Sequence, residues 1–247
     1  MRLDLKTEYS LSKIRSNYND LWKDPIKTKI FSSLPDDSII IDAGCRDGKW
    51  IHEVTCCLGL KLGRSKSKFT FVGIDPIESP SNIKYDYFVK GAVSNYNKNL
   101  VPFFVVGSEI GCSSLKEPSS KLQETEYLFK KRKVSKINKI KTYRLDKIYK
   151  ELLTKKALSL GYLKLDIQGA ELEAIEGAGD FLKDILFIET EIGLDNVSKM
   201  YAESSGPKEL INVLDKKGFE PYLFTEYLHS PLPEGEIIFK NKNWNIE

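Results

Sequence analysis

The chain has 247 residues, 41% of them apolar and 30% charged, which suffices for one large domain with a full hydrophobic core and excludes a disordered chain. Its formal charge of +3 is too small to name a nucleic-acid or membrane partner. No run approaches 18 uninterrupted apolar residues, and the N-terminus has no apolar stretch ending in a small-residue cleavage site, so a cytoplasmic protein without a membrane span is expected.

Leu11, Ile14, Tyr18, Leu21 and Trp22, followed by Ile26, Ile30 and Phe31, recur at helical spacing and predict two short amphipathic helices. Ser10 is a cap for the first, and Asp24 with Pro25 starts the second. Residues 1–35 are therefore read as an N-terminal helical extension laid on a domain spanning 36–247. The polar turn Pro35–Asp37 runs into Ser38–Ile41, a β-branched apolar run of the kind buried in a parallel sheet. It ends at Asp42 and a loop holding Gly44 and Gly48, after which Lys49–Leu58 suits a helix. Phe69–Ile74 is a second strand, ending at Asp75 and Pro76.

Tyr85–Val89 and Phe103–Val106 are further strand candidates, with Gly91–Asn95 as a turn between them. Residues 112–133 read as an excursion, Ile137–Leu145 as a returning strand and Lys147–Lys155 as a helix. Within this region, residues 130–141 carry seven basic side chains and no acidic one. Tyr162–Leu165 is a strand ending at Asp166, and Gln168–Gly177 follows as a helix. Ile185–Ile188 is a strand ending at Glu189–Glu191. Pro207–Lys217 is a helix stopped by Gly218. Tyr222–Phe224 and Glu236–Phe239 close the chain as an antiparallel hairpin. The pattern predicts an α/β fold with a mostly parallel sheet.

Ligands of open α/β sheets sit beyond the carboxyl ends of the strands. Four predicted strands end there in an acid: Asp42, Asp75, Asp166 and Glu189, with Glu191 close behind. Clustered carboxylates repel one another and resist burial, so a cationic or hydroxyl-rich ligand would relieve them. S-adenosylmethionine has both properties. Gly44 and Gly48 let the backbone approach it, Asp75 suits its ribose hydroxyls, and Asp42 acts through the loop or a water. The glycine spacing is neither the dinucleotide GxGxxG nor a triphosphate-binding loop, which weakens an NAD-dependent oxidoreductase.

The string LKLDIQGAELEAIEGA, Leu163 to Ala178, resembles the signature of the FkbM-type methyltransferases. IDAGCRDG at Ile41 to Gly48 stands as its glycine loop and VGIDP at Val72 to Pro76 as its ribose-binding turn. The likeness continues through GAVSN (Gly91–Asn95), GSEIGCSSL (Gly107–Leu115), YRLD (Tyr143–Asp146) and FIETE (Phe187–Glu191), covering about residues 36–240. It implies a Rossmann-like class I methyltransferase fold of seven strands, S-adenosylmethionine as cofactor, and methyl transfer to a hydroxyl oxygen of a sugar or another small metabolite. Many relatives have an acid where Gln168 stands and a glutamate where Asp75 stands.

The expected cofactor contacts are Asp42, Gly44, Cys45, Arg46, Gly48, Asp75, Pro76, Ala92, Val93 and Asp166. Asp166 is also the leading general base, with Lys164 and Glu191 as catalytic companions. Gln168, Glu171, Glu189, Ser108, Ser113 and His229 are expected on the substrate side. Glu171 has a structural alternative, as an anchor of its helix N-terminus. His52 and His229 are scattered and predict no metal site. The basic segment is a solvated surface or an attraction for an anionic acceptor. The acceptor is read as a small hydroxylated molecule, a saccharide or an anionic metabolite. An RNA ribose methyltransferase is the alternative, and a non-catalytic cofactor-binding protein is a second.

Overall fold

The computed structural model describes residues 25–46, 48–57, 69–77, 85–107, 110–119, 134–153, 159–193, 201–226 and 234–245. Among these, Ser38–Ala43 (β1) and Phe69–Asp75 (β2) are buried along their whole length, as befits strands covered on both faces. Tyr87–Lys90 (β3), Ser159–Leu165 (β7) and Phe187–Gly193 (β8) join them, and Phe219–Glu226 (β9) with Glu234–Asn241 (β10) completes a seven-stranded sheet of order β3-β2-β1-β7-β8-β10-β9. Neighbours from β3 to β8 are parallel, whereas β10 runs antiparallel to both β8 and β9. This is the mostly parallel seven-stranded sheet with an antiparallel C-terminal hairpin that the resemblance implied. The chain winds outward from β1 to β3 and returns beside β1 as β7. That reversal opens a crevice at the carboxyl ends of β1 and β7.

Side-chain alternation splits the core into two layers. Ile39 and Ile41 face one side with Leu163, Ile188 and the helices Leu145–Leu153 (α3), Glu171–Ala178 (α4) and Pro207–Lys216 (α5). Ile40 faces the other with Phe71, Tyr162 and Phe187, under Pro25–Ser33 (α1) and Lys49–Cys57 (α2). Ile30, Phe31 and Leu34 belong to that second layer, so the division expected at residue 35 falls within continuous packing. The predicted helix upstream of residue 25 lies outside the described residues.

Three local expectations change. Gly91–Asn95, read as a turn, contains Ala92–Val93 (β4), which pairs in parallel with Val134–Tyr143 (β6). β6 in turn pairs antiparallel with Lys98–Val106 (β5), making a separate three-stranded sheet. Lys136, Lys139 and Lys141 lie along β6, and such a strand needs a solvent face that the two-sided main sheet does not offer. Finally, α4 begins at Glu171 rather than Gln168, because Gln168 (φ 57°) and Gly169 (φ 96°) are left-handed and cannot continue into a right-handed helix. Among the described residues, no helix is long and apolar enough to cross a membrane.

Candidate active site

A cleft of about 580 Å³ lies over the carboxyl ends of β1, β2 and β7. Its first wall is the turn after β1. Gly44 takes φ 85° and donates its N–H to the Ile74 carbonyl at 2.9 Å. A Cβ there would sit 1.8 Å from the Asp166 carbonyl oxygen. Asp166 N–H in turn donates to the Ala43 carbonyl at 3.0 Å. Only a residue without a side chain allows the ends of β1 and β7 to close this tightly. Gly48 (φ 70°) donates to the Cys45 carbonyl at 2.7 Å, which rounds the turn into α2.

Asp75 ends β2 and faces this turn. Its Oδ2 accepts the Arg46 N–H at 2.9 Å, and its Oδ1 accepts the Ile77 N–H at 2.8 Å. Burial raises its pKa, and those two amides oppose the rise. Asp42 is fully buried: Oδ2 accepts from the Tyr85 hydroxyl at 2.9 Å, while Oδ1 has no hydrogen-bond partner. Burial pushes its carboxyl up to about 6, against the opposing charge of Lys164.

The far wall gathers the acids of the later strands. Lys164 Nζ donates to Asp166 Oδ2 at 2.9 Å. Burial alone would lower the Lys164 pKa, but the charges of Asp166, Asp42 and Glu189 outweigh it and raise it. Gln168 Nε2 donates to Asp166 Oδ1 at 3.0 Å and to Glu191 Oε2 at 2.8 Å. Burial, with Asp166, Glu234 and Glu171 close by, lifts Glu191 well above the usual carboxylate range. The Asp166 side chain stays 38% exposed, which leaves it reachable from the cleft.

Beneath this wall lies a buried ionic layer. Lys27 of α1 donates to Glu189 Oε1 and to Glu236 Oε2, each at 3.1 Å. Glu189 also accepts from Trp50 Nε1 at 3.1 Å and from the Tyr162 hydroxyl. Despite burial, the Lys27 charge, a hydrogen bond from Glu236, the Lys164 charge and the Tyr162 hydroxyl hold Glu189 down to about 2. Glu236 is pushed up to about 8 by burial and by Glu189. One charge is thus carried by Glu189 while Glu236 keeps its proton, since two carboxylates this close do not both ionise.

Asp42, Gly44, Cys45, Arg46, Asp75, Pro76, Ala92, Val93, Ser113, Lys164, Asp166, Gln168 and Glu191 all line the one cleft. Gly48 shapes the turn without lining it. Glu189 is 0% exposed and committed to Lys27, Trp50 and Tyr162, so the expected substrate contact gives way to a buried anchor. Glu171, also buried, accepts the Gly169 N–H at 3.1 Å and faces a small recess of about 50 Å³ behind Gln168, the structural alternative for this residue. Ser108 and His229 lie outside the described residues. Sequence reasoning missed Trp50, Glu234 and Glu236, which also line the cleft, and Lys27 and Tyr201 behind it. The alternation Glu234-Gly235-Glu236 on the closing strand was a readable signal for two acids on one face. The long-range pairing of Lys27 left none.

The donor set fits S-adenosylmethionine: a glycine cradle that a Cβ would fill, a carboxylate at the end of β2 for ribose hydroxyls, and a buried, unpartnered Asp42 oxygen suited to a cationic group or its water. Searches of curated proteins and of solved structures return no match. A family model described as the methyltransferase FkbM domain matches residues 42–221, from the first acid of the cleft to the closing hairpin. The chain therefore belongs to the FkbM methyltransferases and is an S-adenosylmethionine-dependent enzyme.

Proposed function

We propose that this enzyme methylates a hydroxyl oxygen of a small, uncharged, polyhydroxylated acceptor such as a saccharide, with Asp166 as general base. The observation that carries the reading is the Asp166 carboxylate, exposed to the cleft yet held by Lys164 and Gln168, at the strand end that touches Gly44. Glu191, Glu234 and Glu236 line the same cleft, and their carboxyl oxygens suit the hydrogen bonds of neutral hydroxyls.

In this reading Asp75 accepts from the ribose, and the turn Gly44–Arg46 cradles the amino-acid end of the cofactor. Pro76, Ala92 and Val93 cover the nucleoside, and Asp42 faces the ammonium group. The cofactor supplies a methyl carbon made electrophilic by its sulfonium. Asp166 would take the hydroxyl proton as the acceptor oxygen bonds to that methyl carbon and the carbon–sulfur bond breaks. Lys164 aims Asp166. Glu191, which lines the cleft beside Gln168, would hydrogen-bond the acceptor hydroxyls. Proximity and alignment supply most of the acceleration.

A second reading, RNA ribose 2′-O-methylation, draws on a groove of about 850 Å³ that meets the cleft at Pro76 and Gly91 and is lined by Lys90, Lys139, Lys141 and Lys147 beside Tyr87. Lysines with aromatic neighbours suit a single-stranded backbone. The groove joins the cleft on the ribose side rather than at Asp166, so the saccharide reading is preferred.

The test is a panel of sugars, nucleosides, lipids and RNA incubated with radiolabelled S-adenosylmethionine, with the product mapped by NMR. Label on a sugar hydroxyl, insensitive to salt, supports the first reading. Label on RNA, lost steeply as salt rises, supports the second. In either case Asp166→Asn lowers kcat roughly 100-fold or more with cofactor affinity preserved. Full activity of that variant would remove Asp166 from its role.

A further inference from the structure

We infer that Tyr201 is a positioning residue for methyl transfer, acting through Gln168 to fix the Asp166 carboxylate and tying that carboxylate to the loop at Gly111–Leu115 that lines the cleft. The inference rests on the proposed role of Asp166 as base. Three observations support it, each a matter of geometry.

The first is the bonding around the Gln168 carboxamide. Its Nε2 lies 3.0 Å from Asp166 Oδ1 and 2.8 Å from Glu191 Oε2, and its Oε1 lies 2.7 Å from the Tyr201 hydroxyl. The carboxamide nitrogen, with its two N–H groups, faces these two carboxyl oxygens. The carboxamide oxygen then faces Tyr201 and needs a donor. The single phenolic hydrogen has two acceptors at 2.7 Å, this oxygen and the Cys112 carbonyl, and so couples the amide to the cleft wall.

The second is the backbone beneath it. Gln168 holds φ 57°, a left-handed conformation unusual for a side chain of its size, and its carbonyl accepts from Ser114 Oγ at 2.6 Å. Tyr201 packs against the next residue so closely that a Cβ on Gly169 would approach Tyr201 Cβ to 3.0 Å. The turn carrying Asp166 and Gln168 is thus pressed between Ser114 on one side and Tyr201 on the other.

The third is the link to the cleft wall. The Tyr201 hydroxyl also lies 2.7 Å from the Cys112 carbonyl, Ala202 N–H donates to the Glu117 carbonyl at 2.7 Å, and Pro118 and Tyr201 form a β-bridge. Gly111, Cys112, Ser113 and Leu115 all face the cleft. One side chain therefore touches both the support of the base and the wall that the acceptor would meet. Tyr201 itself is 3% exposed and does not line the cleft, so it acts through Gln168.

The experiment compares Tyr201→Phe, Gln168→Leu and the double variant in the full-length protein, using the acceptor found in the panel above. Phenylalanine keeps the ring packing and removes only the hydroxyl. The expected result is a loss of about tenfold in kcat with KM for the acceptor and the calorimetric Kd for S-adenosylmethionine within about twofold of wild type. The double variant should be no slower than the slower single variant, because both changes break one chain of contacts. Unchanged kcat in Tyr201→Phe, or losses that multiply in the double variant, would overturn the inference. Should Tyr201→Phe fail to fold, Gln168→Leu with unchanged kcat would overturn it by the same logic. If instead Asp166→Asn is fully active, the base assignment fails by itself, whatever Tyr201 does.

Discussion

Replacing Gly44 with alanine tests the geometry on which the whole cleft depends. The new methyl would lie 1.8 Å from the Asp166 carbonyl oxygen and 2.8 Å from its carbon, where contacts under 3.0 Å do not occur. The neighbour is backbone, already pinned by the Asp166 to Ala43 and Gly44 to Ile74 hydrogen bonds, so it cannot swing aside as a flexible side chain would. The strand ends must part by roughly 1 Å, an overpacking strain of about 1–3 kcal/mol. The left-handed φ adds about 1–2 kcal/mol for any residue with a Cβ. The sum is about 2–5 kcal/mol of lost stability, read as a shift of the urea midpoint. A displacement of that size at the turn that the proposed function assigns to the cofactor also lowers kcat by about 100-fold. Gly218→Ala is the control: φ is 90° but nothing lies within 4 Å, so only the conformational cost of about 1–2 kcal/mol applies. Equal destabilisation by the two substitutions, with unchanged affinity of Gly44→Ala for S-adenosylmethionine in calorimetry, would refute the close approach of β1 and β7.

Asp75→Asn removes the charge that the proposed function sets against the ribose, and it sets an amide nitrogen against one of the two backbone N–H groups. Calorimetry should show cofactor affinity falling by about ten- to a hundredfold. Lys27→Met leaves Glu189 buried without its counter-ion and should cost about 3–5 kcal/mol in urea unfolding. A loss under about 1 kcal/mol would mean that Trp50 and Tyr162 suffice to hold Glu189. Stability should also depend on pH. The carboxyls of Asp42 (about 6), Glu171 (about 7) and Glu236 (about 8) are raised by burial, so the folded chain binds more protons than the unfolded one above pH 4. Their contribution is present below the ordinary carboxylate pKa and is lost as pH rises from about 4 to about 8. Glu189, held at about 2, acts oppositely, and its contribution is lost only as pH falls below about 4.5. The urea midpoint should therefore decline from pH 5 to pH 8, and a rise across that interval would contradict the burial of these acids.

Much of this architecture was legible because each strand of a two-sided parallel sheet must be a short apolar run and must stop at polar residues where the sheet meets solvent. Ser38–Ile41 ending at Asp42, and Phe69–Ile74 ending at Asp75, carry that signature openly. Period two also placed Glu189 and Glu191 on one side of β8. It could not say that Lys27, 162 residues away, would bury the first while Gln168 would hold the second at the cleft. The small sheet of β4, β5 and β6 was legible only in part, because a two-residue strand such as Ala92–Val93 has no periodicity to detect.

The order of residues alone determined the strand ends, the glycine turn and the acids brought to a common rim, since these follow from local backbone freedom and the alternation of side chains. Tertiary structure alone decided which acids face the cleft and which lie beneath it, and it supplied Lys27, Tyr201 and Glu236 from segments distant in sequence. The reason is physical: the state of a buried carboxylate depends on the donors and charges packed around it, and those neighbours are chosen by how the layers stack rather than by position along the chain.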